Sequence, residues 1–211
     1  MDSQLGLWIT DHEPVDAAKI GAMTMTNPLV RHEWGAPWTL DDLASLPDDG
    51  NRYELLDGSL LVSPPPDTFH CRTVTELAGI LHHASPTNLY VSGVGFGLGV
   101  RPGTLYLPDL IVFRRTALDR RAQAIEPTDV RLVVEVLSSG SSGRDLVMKR
   151  YDYAAARIPQ YWIVDQERPA ITVLRLDESG RHYEESAVVK PGERLRVEEP
   201  FPIDLDPAEV L

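Results

Sequence analysis

A single cysteine, Cys71, stands in 211 residues, which excludes an intramolecular disulfide and leaves stability to a packed core. Long apolar runs are missing too. No stretch nears the ~18 residues that a membrane-spanning helix needs, and no basic segment followed by a short apolar one marks a secretory leader. These absences point away from a membrane and toward the cytoplasm. Positive charge is scarce: 20 Lys and Arg face 32 Asp and Glu, a formal net charge of −12, which disfavours broad adhesion to nucleic acid or anionic lipid. Arg114, Arg115, Arg120 and Arg121 form one local basic strip against that balance, readable either as a solvated loop or as a contact strip. There is no compact His or Cys cluster, so nothing recommends a zinc-type site. No internal repeat is found.

What is present reads as one domain with an extension. Residues 1–36 show no sustained periodicity and contain Gly21, Gly35, Pro14 and Pro28, so they are expected to form an N-terminal arm; residues 37–211 carry the domain. Thr39 caps a short helix that Pro47 stops. Tyr53–Leu56 and Ser59–Ser63 flank Asp57-Gly58, a hairpin dipeptide. A second helix, capped by Asp67 or Thr68, runs to about His83 with Val74, Leu77, Ala78 and Leu81 on one face. Two or three strands separated by Gly93, Gly95 and the Arg101-Pro102-Gly103 turn fill residues 88–113. After a solvated loop come a strand over Leu132–Leu137, a flexible Ser/Gly connection, a helix from about Arg144 to Arg157 and a strand over Tyr161–Val164, the length of a parallel crossover. Ile171–Leu176 and Tyr183–Val189 read as a closing hairpin, followed by a short tail.

The chemistry sits in the strands. Asp109 opens the run Leu110-Ile111-Val112-Phe113 directly after Pro108, and Glu135 stands in the middle of Leu132-Val133-Val134-Glu135-Val136-Leu137. An ionised carboxylate inside an apolar strand costs several kcal/mol unless a cation or a proton compensates it. If the two strands pair, both acids meet at one spot, and a hard cation with oxygen ligands, Mg²⁺ or Mn²⁺, fits them. The blander alternative makes Asp109 a turn residue and Glu135 an ion-pair partner of Lys149 or an arginine. Lys149 lies on the helix that must pack back on this sheet, where its amine can reach the carboxylates or simply be solvated. Tyr153, one turn on, points the same way or packs in the core. Glu54 is a third acid among apolar neighbours, a supporting ligand or a partner of Arg52. His70 reads as a solvated surface residue.

As an ordered set, Pro37-Trp38-Thr39 through Pro47, Arg52-Tyr53-Glu54-Leu55-Leu56-Asp57-Gly58, Pro108-Asp109, Val134-Glu135-Val136-Leu137-Ser138, Asp145-Leu146 with Lys149, Tyr153-Ala154 and Tyr161-Trp162-Ile163-Val164-Asp165 resemble the Uma-two family, grouped with restriction endonucleases. The likeness spans about residues 37–176. It implies an α/β fold of the PD-(D/E)XK nuclease superfamily: a restriction-endonuclease-like mixed β-sheet flanked by helices, with an N-terminal helix-hairpin element and a C-terminal β-hairpin. By the same resemblance Asp109 and Glu135 are the metal acids. The usual lysine position is occupied by Leu137, and Lys149 matches a lysine moved to the next helix. Two departures stand out. Arg157 replaces a glycine at the helix end, at a cost of about 1 kcal/mol if that residue is left-handed, and Gln160 replaces an acid at the expected edge of the site.

The resulting expectation is a Mg²⁺- or Mn²⁺-dependent endonuclease acting on DNA. In it Asp109 and Glu135 hold the metal, Glu54 supports them and Lys149 assists the attacking water. The alternative is a catalytically idle nuclease-fold protein that binds a partner, with a homodimer as one form.

Overall fold

The computed structural model describes residues 35–93, 96–119, 122, 124–137 and 143–211, the backbone alone for 143–145. Nearly all of the expected arm, together with Gly95, Arg120, Arg121 and the Ser138–Ser142 connection, lies outside the described residues. Helix α1 (Leu40–Ala44) starts at Thr39, whose hydroxyl accepts the Asp42 N–H while the Asp42 carboxylate reaches back to the Thr39 N–H, a reciprocal cap. Strands β1 (Arg52–Leu56) and β2 (Ser59–Ser63) form the expected hairpin. Asp57 and Gly58 both take positive φ, 50° and 73°, as a two-residue turn of this hand requires. Helix α2 (Thr68–Ala84) begins at Asp67, whose side chain accepts the His70 N–H.

Residues 88–114 hold four strands where two or three were expected: β3 (Leu89–Ser92), β4 (Gly97–Arg101), β5 (Thr104–Tyr106) and β6 (Leu110–Arg114). Glycine punctuation concealed the count. The next segment is less open than a solvated loop, with β7 (Ala124–Ile125) between two 3₁₀ turns. Strand β8 (Val130–Leu137), helix α3 (Gly143–Ala155) and β9 (Gln160–Asp165) make the crossover, and β8 and β9 pair in parallel as the helix length between them requires. Strands β10 (Ala170–Leu176) and β11 (Tyr183–Val189) form the closing hairpin. The supposed tail carries a further hairpin, β12 (Leu195–Val197) with β13 (Ile203–Leu205).

Two mixed sheets result, ordered β2-β1-β5-β4-β7 and β11-β10-β9-β8-β6-β3, beside the two-stranded β12-β13. Alternation along the larger sheet decides what each face meets. Leu110, Val112, Leu132, Val134 and Trp162 face α2, packing with Val74, Leu77 and Leu81, and the last hairpin adds Leu195, Ile203 and Leu205. Ile111, Phe113, Val133 and Tyr161 face the other way, against Tyr153 and Ala154 of α3 and Leu98 and Tyr106 of the smaller sheet. Each fully buried leucine contributes about 1.5–3 kcal/mol of transfer free energy. Glu135, two residues beyond Val133, takes the α3 face. Arg157 has φ 59°, so the glycine it replaces would relieve a left-handed residue. Gln160 pairs with Leu132, three rows from the Glu135–Ile163 pair, and accepts the Trp162 indole N–H at 3.3 Å. It is therefore a core residue, and the sequence expectation that it edges the site is corrected.

Candidate active site

Strand pairing brings the two acids together. Leu110 lies opposite Val134, so Asp109 at the mouth of β6 sits beside Glu135 and Val136 of β8, and the Val136 N–H donates to Asp109 Oδ2 at 2.8 Å. Strand β1 supplies the next two side chains. Arg52 and Glu54, two residues apart, leave the same side of the strand and clasp the segment before Asp109. Arg52 Nη1 meets Asp109 Oδ1 at 2.5 Å, its Nη2 donates to the Leu107 carbonyl, and the Leu107 N–H donates to Glu54 Oε1 at 2.7 Å. Helix α3 closes the group: Lys149 Nζ lies 3.2 Å from Glu135 Oε1 and 3.4 Å from Glu54 Oε1, and the Tyr153 hydroxyl donates to Glu135 Oε1 at 2.7 Å. Glu54, His70, Asp109, Glu135 and Lys149 are all between 4 and 8 % exposed. At such burial charge compensation is obligatory.

Two expectations are corrected here. His70 is buried, with Nε2 3.1 Å from Asp109 Oδ1, whereas the sequence suggested a solvated surface residue. It continues the Val74, Leu77, Leu81 stripe at helical spacing, and that was the signal available for it. Arg52 pairs with Asp109 rather than with Glu54.

The two acids are shifted in opposite directions. Burial opposes ionisation of Asp109, but the His70 hydrogen bond, the Arg52 charge and the Val136 N–H outweigh it and hold the carboxyl below its ordinary range. Burial pushes Glu135 up to about 7; Asp109 and Glu54 add to the rise, while Lys149 and the Tyr153 hydroxyl oppose it. Burial next to that carboxylate also raises the Tyr153 phenol well above its usual value.

A supporting cluster escaped the sequence reading. The Tyr106 hydroxyl donates to Asp152 Oδ2 at 2.6 Å, Arg101 Nε lies 3.2 Å from Asp152 Oδ1, and Arg101 also pairs with Asp57 of the β1-β2 turn. The Tyr106 ring packs edge-on to Tyr153, with centroids 5.6 Å apart, and lies 5.3 Å from Lys149 Nζ. The cluster thus ties α3, and Lys149 with it, to the smaller sheet.

The family model described as "Uma2: Putative restriction endonuclease" matches residues 40–209. The chain belongs to the Uma2 family. Among solved structures, the fold is similar to a "putative nuclease belonging to DUF820" from Anabaena variabilis. The TM-score is 0.62 at 18 % identity, covering 82 % of this chain and 97 % of that one. No functionally curated protein matches. This Uma2 chain is therefore a nuclease-fold protein of restriction-endonuclease type, with the mixed α/β architecture expected of it. Among the described residues no helix is long and apolar enough to cross a membrane. Nor do any three or more His, Cys, Asp or Glu among them form a group able to hold a metal ion as placed. What does fit a hard divalent cation is the donor chemistry: carboxylate oxygens of Asp109 and Glu135 one strand apart, with Glu54 beside them. In the geometry at hand Arg52, His70 and Lys149 compensate these carboxylates.

Proposed function

We propose that this protein is a metal-dependent endonuclease that hydrolyses DNA phosphodiester bonds. The observation that carries the reading is the burial of three acids in a Uma2 chain, Asp109 and Glu135 side by side on neighbouring strands and Glu54 joined to Glu135 through the buried Lys149. Asp109 and Glu135 would hold Mg²⁺ or Mn²⁺, with Glu54 orienting them. The bound cation supplies Lewis-acid chemistry, polarising a phosphoryl oxygen and lowering the pKa of a bound water. Asp109 serves as the fixed anion, pinned by Arg52, His70 and the Val136 N–H. Glu135, raised to about 7, titrates close to neutral pH, and a cation held beside it would favour its ionised form. Lys149, held 3.2 Å from Glu135 and 3.4 Å from Glu54, would donate to the attacking water or to the phosphate oxygen on which charge grows.

A catalytically idle protein of the same fold is the second reading, and one observation favours it: no group of three or more candidate ligands stands ready among the described residues. Incubation with plasmid, single-stranded DNA and RNA under Mg²⁺ and under Mn²⁺ separates the two. Cleavage that vanishes in Glu135→Ala supports the nuclease; wild-type protein inert on every substrate with both metals supports the idle fold.

A further inference from the structure

Arg114, from the basic strip that the catalytic reading left unused, lines a cavity. Asn88, Leu89, Arg114, Thr116 and Arg131 line a cavity of about 370 Å³ at the ends of β6 and β8 remote from the acids. Arg114 lies five residues from Asp109 along β6, about 16 Å at about 3.3 Å per residue. A fault in the ladder brings Arg131 there. Val112 pairs with Leu132 and Phe113 with Val130, so Arg131 is the extra residue of a β-bulge. Its neighbours Val130 and Leu132 are fully buried on opposite faces. A bulge of this kind re-aims one side chain, and here it places a guanidinium at the cavity beside a second one.

Among the described residues, Arg131 uses only Nη1 in hydrogen bonds, to the carbonyls of Thr128 and Val130 at 3.2 and 2.7 Å. Arg114 likewise uses only Nη1, 3.5 Å from Asp129 Oδ1. That leaves each guanidinium its Nε and Nη2 donors, a planar pair suited to an anion. Thr116 adds a hydroxyl and Asn88 an amide. Arg131 is held below its ordinary range, first by burial and then by Arg114, with Asp129 opposing. An anion between the two guanidiniums would relieve that repulsion. Next door, Arg115 is taken: its Nε donates to the Thr87 carbonyl and its guanidinium lies 5.3 Å from the Tyr90 ring centroid.

We propose that this cavity is a phosphate subsite that grips the backbone of the nucleic-acid strand at a distance from the scissile bond. The identity of the ligand as a strand rests on the nuclease reading above. Such a subsite gives a chain of net charge −12 a local foothold on a polyanion, where long-range attraction is absent.

The test is anisotropy of a labelled single-stranded oligonucleotide in chelator, so that nothing is cut, over a series of salt concentrations. Arg114→Gln and Arg131→Gln should each lower the slope of log affinity against log salt by about 0.7, the share of one phosphate contact on a single strand. Arg131→Lys should keep most of it. The Arg114 side chain is 53 % exposed, so its variant should fold even where an Arg131 variant does not. Wild-type affinity and slope in the double variant would overturn the subsite. Adenosine monophosphate tests the other source of phosphate. If it raises the melting temperature of the wild type but not of the double variant, and the oligonucleotide slope is unchanged, the cavity holds a free nucleotide and the strand assignment falls. A wild type that cuts DNA while the double variant binds normally removes the subsite alone. A wild type that neither binds nor cuts removes the nuclease reading along with it.

Discussion

Asp109 and Glu135 are equally buried, at 6 % exposure each, and sit side by side across paired strands, yet their pKa values are pushed in opposite directions. Around Asp109 stand Arg52, His70 and a backbone N–H, and its pKa is lowered. Around Glu135 stand one lysine shared with Glu54, the charge of Asp109 and a phenol, and its pKa rises to about 7. Burial therefore makes a carboxylate costly, and its neighbours decide whether it stays an anion. One end of the site is an anchored anion and the other titrates close to neutral pH.

The largest expected effect erases the function while exposing this difference. Asp109→Asn and Glu135→Gln should each lower metal-dependent cleavage by at least about 10²–10³-fold, measured on plasmid DNA. Their folding stabilities should diverge. Losing the Asp109 charge strands Arg52 and His70 and should cost about 2–4 kcal/mol, less than for a wholly buried pair because Arg52 keeps some solvent. Glu135→Gln should be at least as stable as wild type in urea denaturation at pH 7, since it removes a charge that burial makes costly but keeps an acceptor for Tyr153. Equal destabilisation by both changes would break the contrast.

Lys149→Ala should slow cleavage by about 10²-fold and push the Glu135 pKa higher, because the lysine charge is the largest influence lowering it. Asp109, anchored by other groups, should titrate as before. Carbon-13 carboxyl shifts across a pH series measure both.

A smaller effect appears in the pH dependence of apo stability. Glu135 ordinarily titrates near 4.5 and rises to about 7 on folding, so its contribution is fully present below about 4.5 and is lost as pH rises through about 7. Asp109 acts in the opposite sense: its contribution is present above its ordinary value of 3.8 and lost as pH falls through its lower folded value. Urea midpoints in chelator should thus drop between about pH 4.5 and about pH 7 in the wild type and flatten in Glu135→Gln. The smallest effect serves as a control. Arg157→Gly, at a left-handed residue, should raise stability by up to about 1 kcal/mol and leave both carboxyl titrations where they are.

How much of this was legible depended on how locally each feature is encoded. Asp57-Gly58 fixes its own turn, Thr39 and Asp67 cap their own helices, and the strand-helix-strand spacing of 132–164 dictates a parallel crossover. An acid in an apolar strand is conspicuous for its cost, so Asp109, Glu135 and Glu54 could be singled out from sequence. Their partners could not. Arg52 and Asp109 stand 57 residues apart, and only the β1-β5 pairing and the α2 face decide that Arg52 and His70 converge on one carboxylate. The Asp152–Tyr106–Arg101 cluster joins three elements by side chains alone, and the Arg131 bulge is a feature of pairing that no single strand displays. Short glycine-bearing strands such as β4, and the β12-β13 hairpin, lack enough alternating residues to announce themselves.

Calorimetric titration of the apo protein with Mn²⁺, repeated in buffers of different ionisation enthalpy, tests this pair of acids most directly. With Glu135 titrating near 7, binding should release most of one proton at about pH 6 and almost none by about pH 8.5. Glu135→Gln should abolish both the binding and the release. Failure of the wild type to bind Mn²⁺, or binding that releases no proton at pH 6 and survives Glu135→Gln, would contradict the assignment of these two carboxylates.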